Sequence, residues 1–155
     1  MAKQLKPSVR SVLQKIKDDK IQFLDLKFVD LFGTLQHLTL AADLVDASDF
    51  ARGFSFDGSS VRGFQQINES DMILRPDASS VFVDPFFEEA TLSVFCDIID
   101  PNGFKSYGRD PRGVARRAEQ LIRSEGIADT AFFGPEIEFF IFDDVRFDQS
   151  TQYGY

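Results

Sequence analysis

Two glutamates, Glu136 and Glu138, stand two residues apart in Phe132-Phe133-Gly134-Pro135-Glu136-Ile137-Glu138-Phe139-Phe140-Ile141-Phe142. In an extended strand successive side chains turn to opposite faces, so the two carboxylates share a face, with Cα atoms roughly 6.5–7 Å apart. Phe132, Phe140 and Phe142 flank them on that face, and Phe133, Ile137, Phe139 and Ile141 occupy the other. An unpaired charge among apolar side chains is costly. A divalent cation, which takes oxygen ligands, is one solution. Two solvated glutamates on an edge strand are the other, because Glu-x-Glu alone is weakly specific.

A second carboxylate, Asp57, lies in Gly53-Phe54-Ser55-Phe56-Asp57-Gly58-Ser59-Ser60-Val61-Arg62-Gly63. The glycines and serines permit tight turns. The stretch reads as too polar for a core strand and too glycine-rich for a helix. Asp57 then either satisfies its own turn or is presented to a substrate, where it attracts a cation or accepts a proton. His37, alternating with Leu35 and Thr39, reads as structural. Arg109, Arg112, Arg116 and Arg117 are a phosphate-binding set or, more simply, solvated surface charge. No Walker-type or G-x-G-x-x-G phosphate loop is present.

The elements that must position these residues are legible in part. Ser8 followed by Val9, Val12, Leu13 and Ile16 predicts an amphipathic helix. From Ile21 the period becomes two: Leu24, Leu26 and Phe28 form an apolar face against Asp25 and Lys27. With a turn at Asp30–Gly33 and a return over Thr34–Leu40, this predicts a hairpin. Asp43–Arg52 is expected to be helical for a turn or two. Strands are predicted over Ser80–Asp84 and Thr91–Ile99, with a turn at Asp100-Pro101-Asn102-Gly103. Asp110-Pro111 opens a helix with an apolar stripe of Val114, Ala118, Leu121 and Ile122, stopped by Gly126. A final strand pair is expected from Ala131–Asp143 and from Arg146 onward.

The 155 residues suit one or two compact units. A net charge of -8 argues against sequence-independent nucleic-acid binding and against an anionic membrane surface. Cys96, the single cysteine, excludes an intrachain disulfide and reads as a small buried hydrophobe. The N-terminus, with Lys3 and Lys6, lacks the apolar core of a secretory signal, and no segment reaches membrane-span length. A reducing cytoplasm is the expected compartment.

Taken together and in order, these pieces resemble glutamine synthetase of the bacterial type I. The pieces are Phe28-Val29-Asp30 with Gly33 and Gln36-His37, then Phe56-Asp57-Gly58-Ser59-Ser60. They continue with Ile67-Asn68-Glu69-Ser70-Asp71-Met72, Arg75-Pro76-Asp77, Arg109-Asp110-Pro111-Arg112 and Gly134-Pro135-Glu136-Ile137-Glu138-Phe139-Phe140. The resemblance implies an α+β chain: a β-grasp domain over residues 1–105, then the first helix and strands of a catalytic α/β domain over 106–155. It implies an ATP-dependent ligase that phosphorylates the γ-carboxylate of glutamate and lets ammonia displace the phosphate. Asp57 would bind ammonium and remove its proton, with Ser59 and Ser60 shaping that loop. Glu136 and Glu138 would bind separate divalent ions, Mg2+ or Mn2+.

The resemblance also implies a homo-oligomer, a dodecamer of two stacked hexameric rings. In it Asp57 of one subunit faces the metal glutamates of the next. Phe64 departs from the family's usual Trp. The remaining metal ligands and the residues for ATP and glutamate would lie downstream, so this polypeptide alone is expected to have no ligase activity. A non-catalytic association module and a ligase for an organic amine remain as alternatives.

Overall fold

The computed structural model describes residues 7–150 and 152. Lys3, Lys6 and the end of the expected last strand lie outside the described residues. Helix α1 spans Val9–Asp18 and turns Val12 and Ile16 inward. Its cap is reciprocal: Ser11 N donates to Ser8 Oγ at 3.2 Å, and Ser8 N donates to Ser11 Oγ at 2.8 Å. Two of the amides that a helix start leaves unpaired are thereby satisfied.

Strand β1 (Phe23–Val29) and β2 (Leu35–Ala41) form the expected antiparallel hairpin, in register from Phe23↔Ala41 to Val29↔Leu35. Its turn is held by Asp30 Oδ1, which accepts from Phe32 N and Thr34 N at 2.9 Å each. Period two placed Asp25 and Lys27 on the face opposite Leu24, Leu26 and Phe28, a face that water could have covered. Instead Asp25 is fully buried, because the strand is covered on both sides.

The chain continues through α2 (Ala47–Arg52), β3 (Phe54–Asp57), β4 (Asp71–Pro76), β5 (Phe82–Val83), β6 (Thr91–Asp100), β7 (Lys105–Ser106) and α3 (Pro111–Ser124). The sheet order is β2-β1-β6-β4-β3, with β5 and β7 also pairing β6. Strand β6 is the axis. Thr91–Phe95 run parallel to β1, while Cys96–Ile99 run antiparallel to β4. Ile99 pairs both Ile73 of β4 and Ser106 of β7, so those strands border opposite edges of β6. The core gathers Val12 and Ile16 of α1, Leu24, Leu26 and Phe28 of β1, Phe50 of α2, Met72 and Leu74 of β4, and Leu92, Val94 and Ile98 of β6.

Three expectations are corrected. The stretch at Gly53–Gly63 contains strand β3, with every second residue half-buried; it lies at the end of the sheet order, where one face and one edge tolerate polar groups. Strand β4, with Met72 and Leu74 buried, escaped the sequence reading because Asp71, Arg75 and Pro76 interrupt its apolar residues. Residues 128–148 carry no helix or strand. A strand exists only through a neighbour's ladder, and none of the strands of the sheet pairs with this run. Helix α3 forms as predicted, but its apolar stripe is uncovered: Val114 and Leu121 are 48% and 58% exposed. Among the described residues no helix is long and apolar enough to cross a membrane.

Candidate functional site

Asp57 ends β3 and caps a single 3-10 turn, Gly58–Ser60. Its Oδ1 accepts from Ser59 N at 2.8 Å and Ser59 Oγ at 2.6 Å, and its Oδ2 accepts from Ser60 Oγ at 2.9 Å. The Ser59 hydroxyl first, then the Ser59 amide and the Ser60 hydroxyl, hold the carboxyl below its usual range, so it is ionised at neutral pH. It is nonetheless exposed. The loop is closed beneath it. Gly58 N donates to Ser70 O at 2.7 Å, and Gly58 O accepts from Val61 N at 3.2 Å and Gln65 N at 3.4 Å. Gly58 cannot be replaced cheaply: an added Cβ would lie 2.3 Å from the Met72 sulfur. An ionised, rigidly held and solvent-facing carboxylate is suited to receiving a small cation.

Glu136 and Glu138 are both exposed, in the run without regular structure. The apolar residues around them are exposed too, from 68% at Phe142 to 93% at Phe132. The expected burial of the carboxylates is therefore not met within this chain. The Phe140 and Phe142 rings lie 6.0 Å apart, consistent with the same-face i, i+2 placement of an extended run. The described residues contain no group of three or more His, Cys, Asp or Glu that could hold a metal. The donor chemistry of the two glutamates fits a hard divalent cation, but six to eight oxygens are usual for such ions and these residues supply only a part.

Arg109, Arg116 and Arg117 are exposed, as expected of surface charge, but Arg112 is half-buried. Arg112 and Arg116 of α3 close a square with Asp77, just after β4, and Asp97 of β6. Arg112 reaches Asp77 Oδ2 at 2.5 Å and Asp97 Oδ1 at 2.8 Å; Arg116 reaches Asp97 Oδ2 at 2.5 Å and Asp77 Oδ2 at 3.4 Å. Burial pushes the Asp77 carboxyl up, but the Ser79 hydroxyl and the Arg112 guanidinium more than offset this and hold it at about 2. Asp110, the α3 cap, accepts from Arg112 N at 3.1 Å and Ile98 N at 3.2 Å. So the helix is fastened to β6 at its cap and its first two turns.

His37 is structural, as expected. Its Nδ1 lies 2.8 Å from Asp25 Oδ1, which also accepts from Thr39 Oγ1 at 2.6 Å. Lys27 completes the cluster, 3.3 Å from Asp25 Oδ2 and 2.9 Å from Asp84 Oδ2. Cys96 is 2% exposed and burial pushes its thiol far up, which removes it as a nucleophile. Phe64, in place of the expected Trp, is buried against Phe28 and Tyr107 at centroid distances of 6.3 Å and 5.4 Å.

Residues 20–101 match a family model described as the glutamine synthetase beta-Grasp domain, and residues 108–155 match one described as the glutamine synthetase catalytic domain. The chain belongs to the glutamine synthetase family. It is 52% identical over 139 residues to a glutamine synthetase of Cereibacter sphaeroides, covering 90% of this chain and 30% of that protein. It is 51% identical over 143 residues to the glutamine synthetase of Escherichia coli K12, covering 92% and 30%. The chain thus spans about a third of the length of these relatives. Among solved structures, a Plasmodium falciparum glutamine synthetase matches with a TM-score of 0.67 at 24% identity, over 79% of this chain and 24% of the other. A GmaS/ADP complex matches with a TM-score of 0.65 at 17% identity, over 73% and 25%. These two likenesses show the shared fold: a β-grasp sheet leading into the opening of the glutamine synthetase catalytic domain.

Proposed function

We propose that this chain supplies the β-grasp part and the opening of the catalytic part of a glutamate–ammonia ligase, which uses ATP to make glutamine, ADP and phosphate. Family membership supports the reaction class. The observation that carries the reading to residues is the exposed, hydroxyl-bound carboxylate of Asp57.

Asp57 binds ammonium, and Ser59 and Ser60 hold its carboxylate ionised and in one orientation. A carboxylate held below its usual pKa is a good counter-ion and a weak base, since an efficient base has a pKa near the working pH. Its first role is therefore to capture the cation. Proton removal follows in a completed, water-poor site that raises its basicity. Glu136 and Glu138 hold Mg2+ or Mn2+. When bound, those ions offset negative charge on the phosphates of ATP and on the glutamate carboxylate. The protein acts as a homo-oligomer of two stacked hexameric rings, in which Asp57 of one subunit serves the glutamates of its neighbour, and it works in the cytoplasm. The exposed run around Glu136 supports the same view, because carboxylates set among uncovered Phe and Ile side chains await further protein.

The test is Asp57→Asn in a form of the protein carrying the whole catalytic domain. Glutamine formation from ammonium is expected to fall about 10²-fold or more. Divalent-metal binding at the glutamates should be retained. Full activity in the variant would overturn the assignment of Asp57.

A further inference from the structure

The loop that carries Asp57 is held from a distance by the segment that enters α3. Tyr107 Oη donates to Phe64 O at 2.6 Å, a bond buried from solvent. Arg109 Nη1 donates to Gly63 O at 2.9 Å, and its Nη2 to Gln65 Oε1 at 3.4 Å. Three consecutive loop residues are thus gripped by two side chains more than forty positions away. The guanidinium of Arg109 lies over the Tyr107 ring at 5.5 Å, and that ring meets Phe64 edge-on at 5.4 Å.

The grip is anchored on one side and transmitted on the other. Tyr107 N donates to Ile98 O at 2.9 Å, so the tyrosine backbone is fixed to the central strand. On the loop side, Gln65 N donates to Gly58 O at 3.4 Å, the carbonyl next to Asp57. The path from β6 to the carboxylate therefore runs through Tyr107, Phe64 and Gln65 to Gly58. Gly63, with φ of +84°, makes the turn that the grip closes. Without these contacts the backbone of Val61–Gln65 would keep its bonds to Gly58 O and a 3.1 Å bond from Phe64 N to Val61 O, with Phe64 still packed on Phe28.

We propose that Tyr107 and Arg109 are positioning residues for Asp57: the entry to the catalytic part clamps the ammonium loop of the β-grasp part of the same chain. The proposal rests on the reading of Asp57 as the ammonium carboxylate. Positional errors of about 1 Å far from the chemistry cost up to about a hundredfold in rate, so a clamp of this kind has a functional consequence without touching substrate.

The experiment compares Tyr107→Phe, which keeps the ring and removes only the hydroxyl, with Arg109→Ala and Arg109→Lys. Amide hydrogen exchange is read on the 155-residue chain. Exchange at Val61, Phe64 and Gln65 is expected to rise about tenfold in Tyr107→Phe and Arg109→Ala, with β1 amides at Leu24 and Leu26 unchanged. Arg109→Lys should restore part of the protection. Unchanged loop exchange in both variants, or an equal rise across the whole sheet, would overturn the clamp. In a form carrying the whole catalytic domain, the KM for ammonium chloride is expected to rise at least about fivefold while the KM for glutamate stays within about twofold. Equal movement of both constants would also overturn it. If Asp57→Asn leaves ammonium use intact while the exchange result holds, the clamp stands and the role given to Asp57 fails.

Discussion

Arg112 Nη1 donates to Asp97 Oδ1 at 2.8 Å, and this bond joins the helix that follows the sheet to the sheet's central strand. The pair is well shielded, with side-chain exposures of 28% and 12%. Arg112→Ala leaves the half-exposed Arg116 as the one guanidinium shared by Asp77 and Asp97, so it is expected to destabilise the chain by about 1–3 kcal/mol. Urea unfolding measures this. A double-mutant cycle with Asp97→Asn should return a coupling of about 0.5 kcal/mol or more. Additive effects would show that the two residues act independently.

Acid should act on the same square. The folded Asp77 carboxyl, at about 2, lies below its ordinary value of 3.8. Its contribution to stability is thus fully present above the ordinary value and is lost as pH falls through that window, because the unfolded chain takes up the proton first. Asp110 has the opposite sign. Burial raises its carboxyl, so its ionisation costs stability as pH rises through its folded value. Urea midpoints between about pH 5 and pH 2 should fall less steeply in Asp77→Asn than in the parent. Equal slopes would remove Asp77 as a source of the acid limb.

Under the proposed role, Glu136 and Glu138 would supply only part of a divalent site, since the described residues hold no group of three or more His, Cys, Asp or Glu that could complete it. Titration of the 155-residue chain with Mn2+, followed by electron paramagnetic resonance, is expected to show binding no tighter than about 10⁻⁴ M. Glu136→Gln and Glu138→Gln should abolish what binding there is at that segment while leaving the sheet's circular dichroism unchanged. Micromolar binding lost in these variants would mean that the chain already holds a complete site.

The run from Phe132 to Phe147 leaves nine large apolar side chains more than two-thirds exposed. A chain ending at Gly126 should keep the thermal midpoint of the full piece within about 2 °C, since no sheet contact is removed. It should also bind far less of a hydrophobic dye than the 155-residue chain. A drop in midpoint of more than about 5 °C would show that the run packs against the sheet.

Much of this architecture is written in local pattern. Leu24, Leu26 and Phe28 at period two, followed by Asp30 and Gly33, specify the hairpin, and Asp110-Pro111 specifies the start of α3. These signals are local because a cap or a tight turn is satisfied within three or four residues. Strand β4 was not legible for the opposite reason: its ladder partners are in β3 and β6, and its own residues mix Asp, Arg and Pro with Met and Leu. The fate of the α3 arginines was equally hidden, since their carboxylates come from positions 15 to 39 residues away.

Of the candidate site, residue order alone determined the family and the identity of Asp57, Ser59, Ser60, Glu136 and Glu138 as the residues to watch. The serine hydroxyls beside Asp57 were visible because they follow it directly. The tertiary structure decided what supports and what isolates these groups. It brought Tyr107 to Phe64 across 43 residues, buried Asp25 beside His37 and Lys27, and left Glu136 and Glu138 uncovered. Hydrogen bonds and ion pairs of that range depend on how β6 is flanked by β1 and β4, and no repeat of hydrophobic residues along the chain encodes that arrangement.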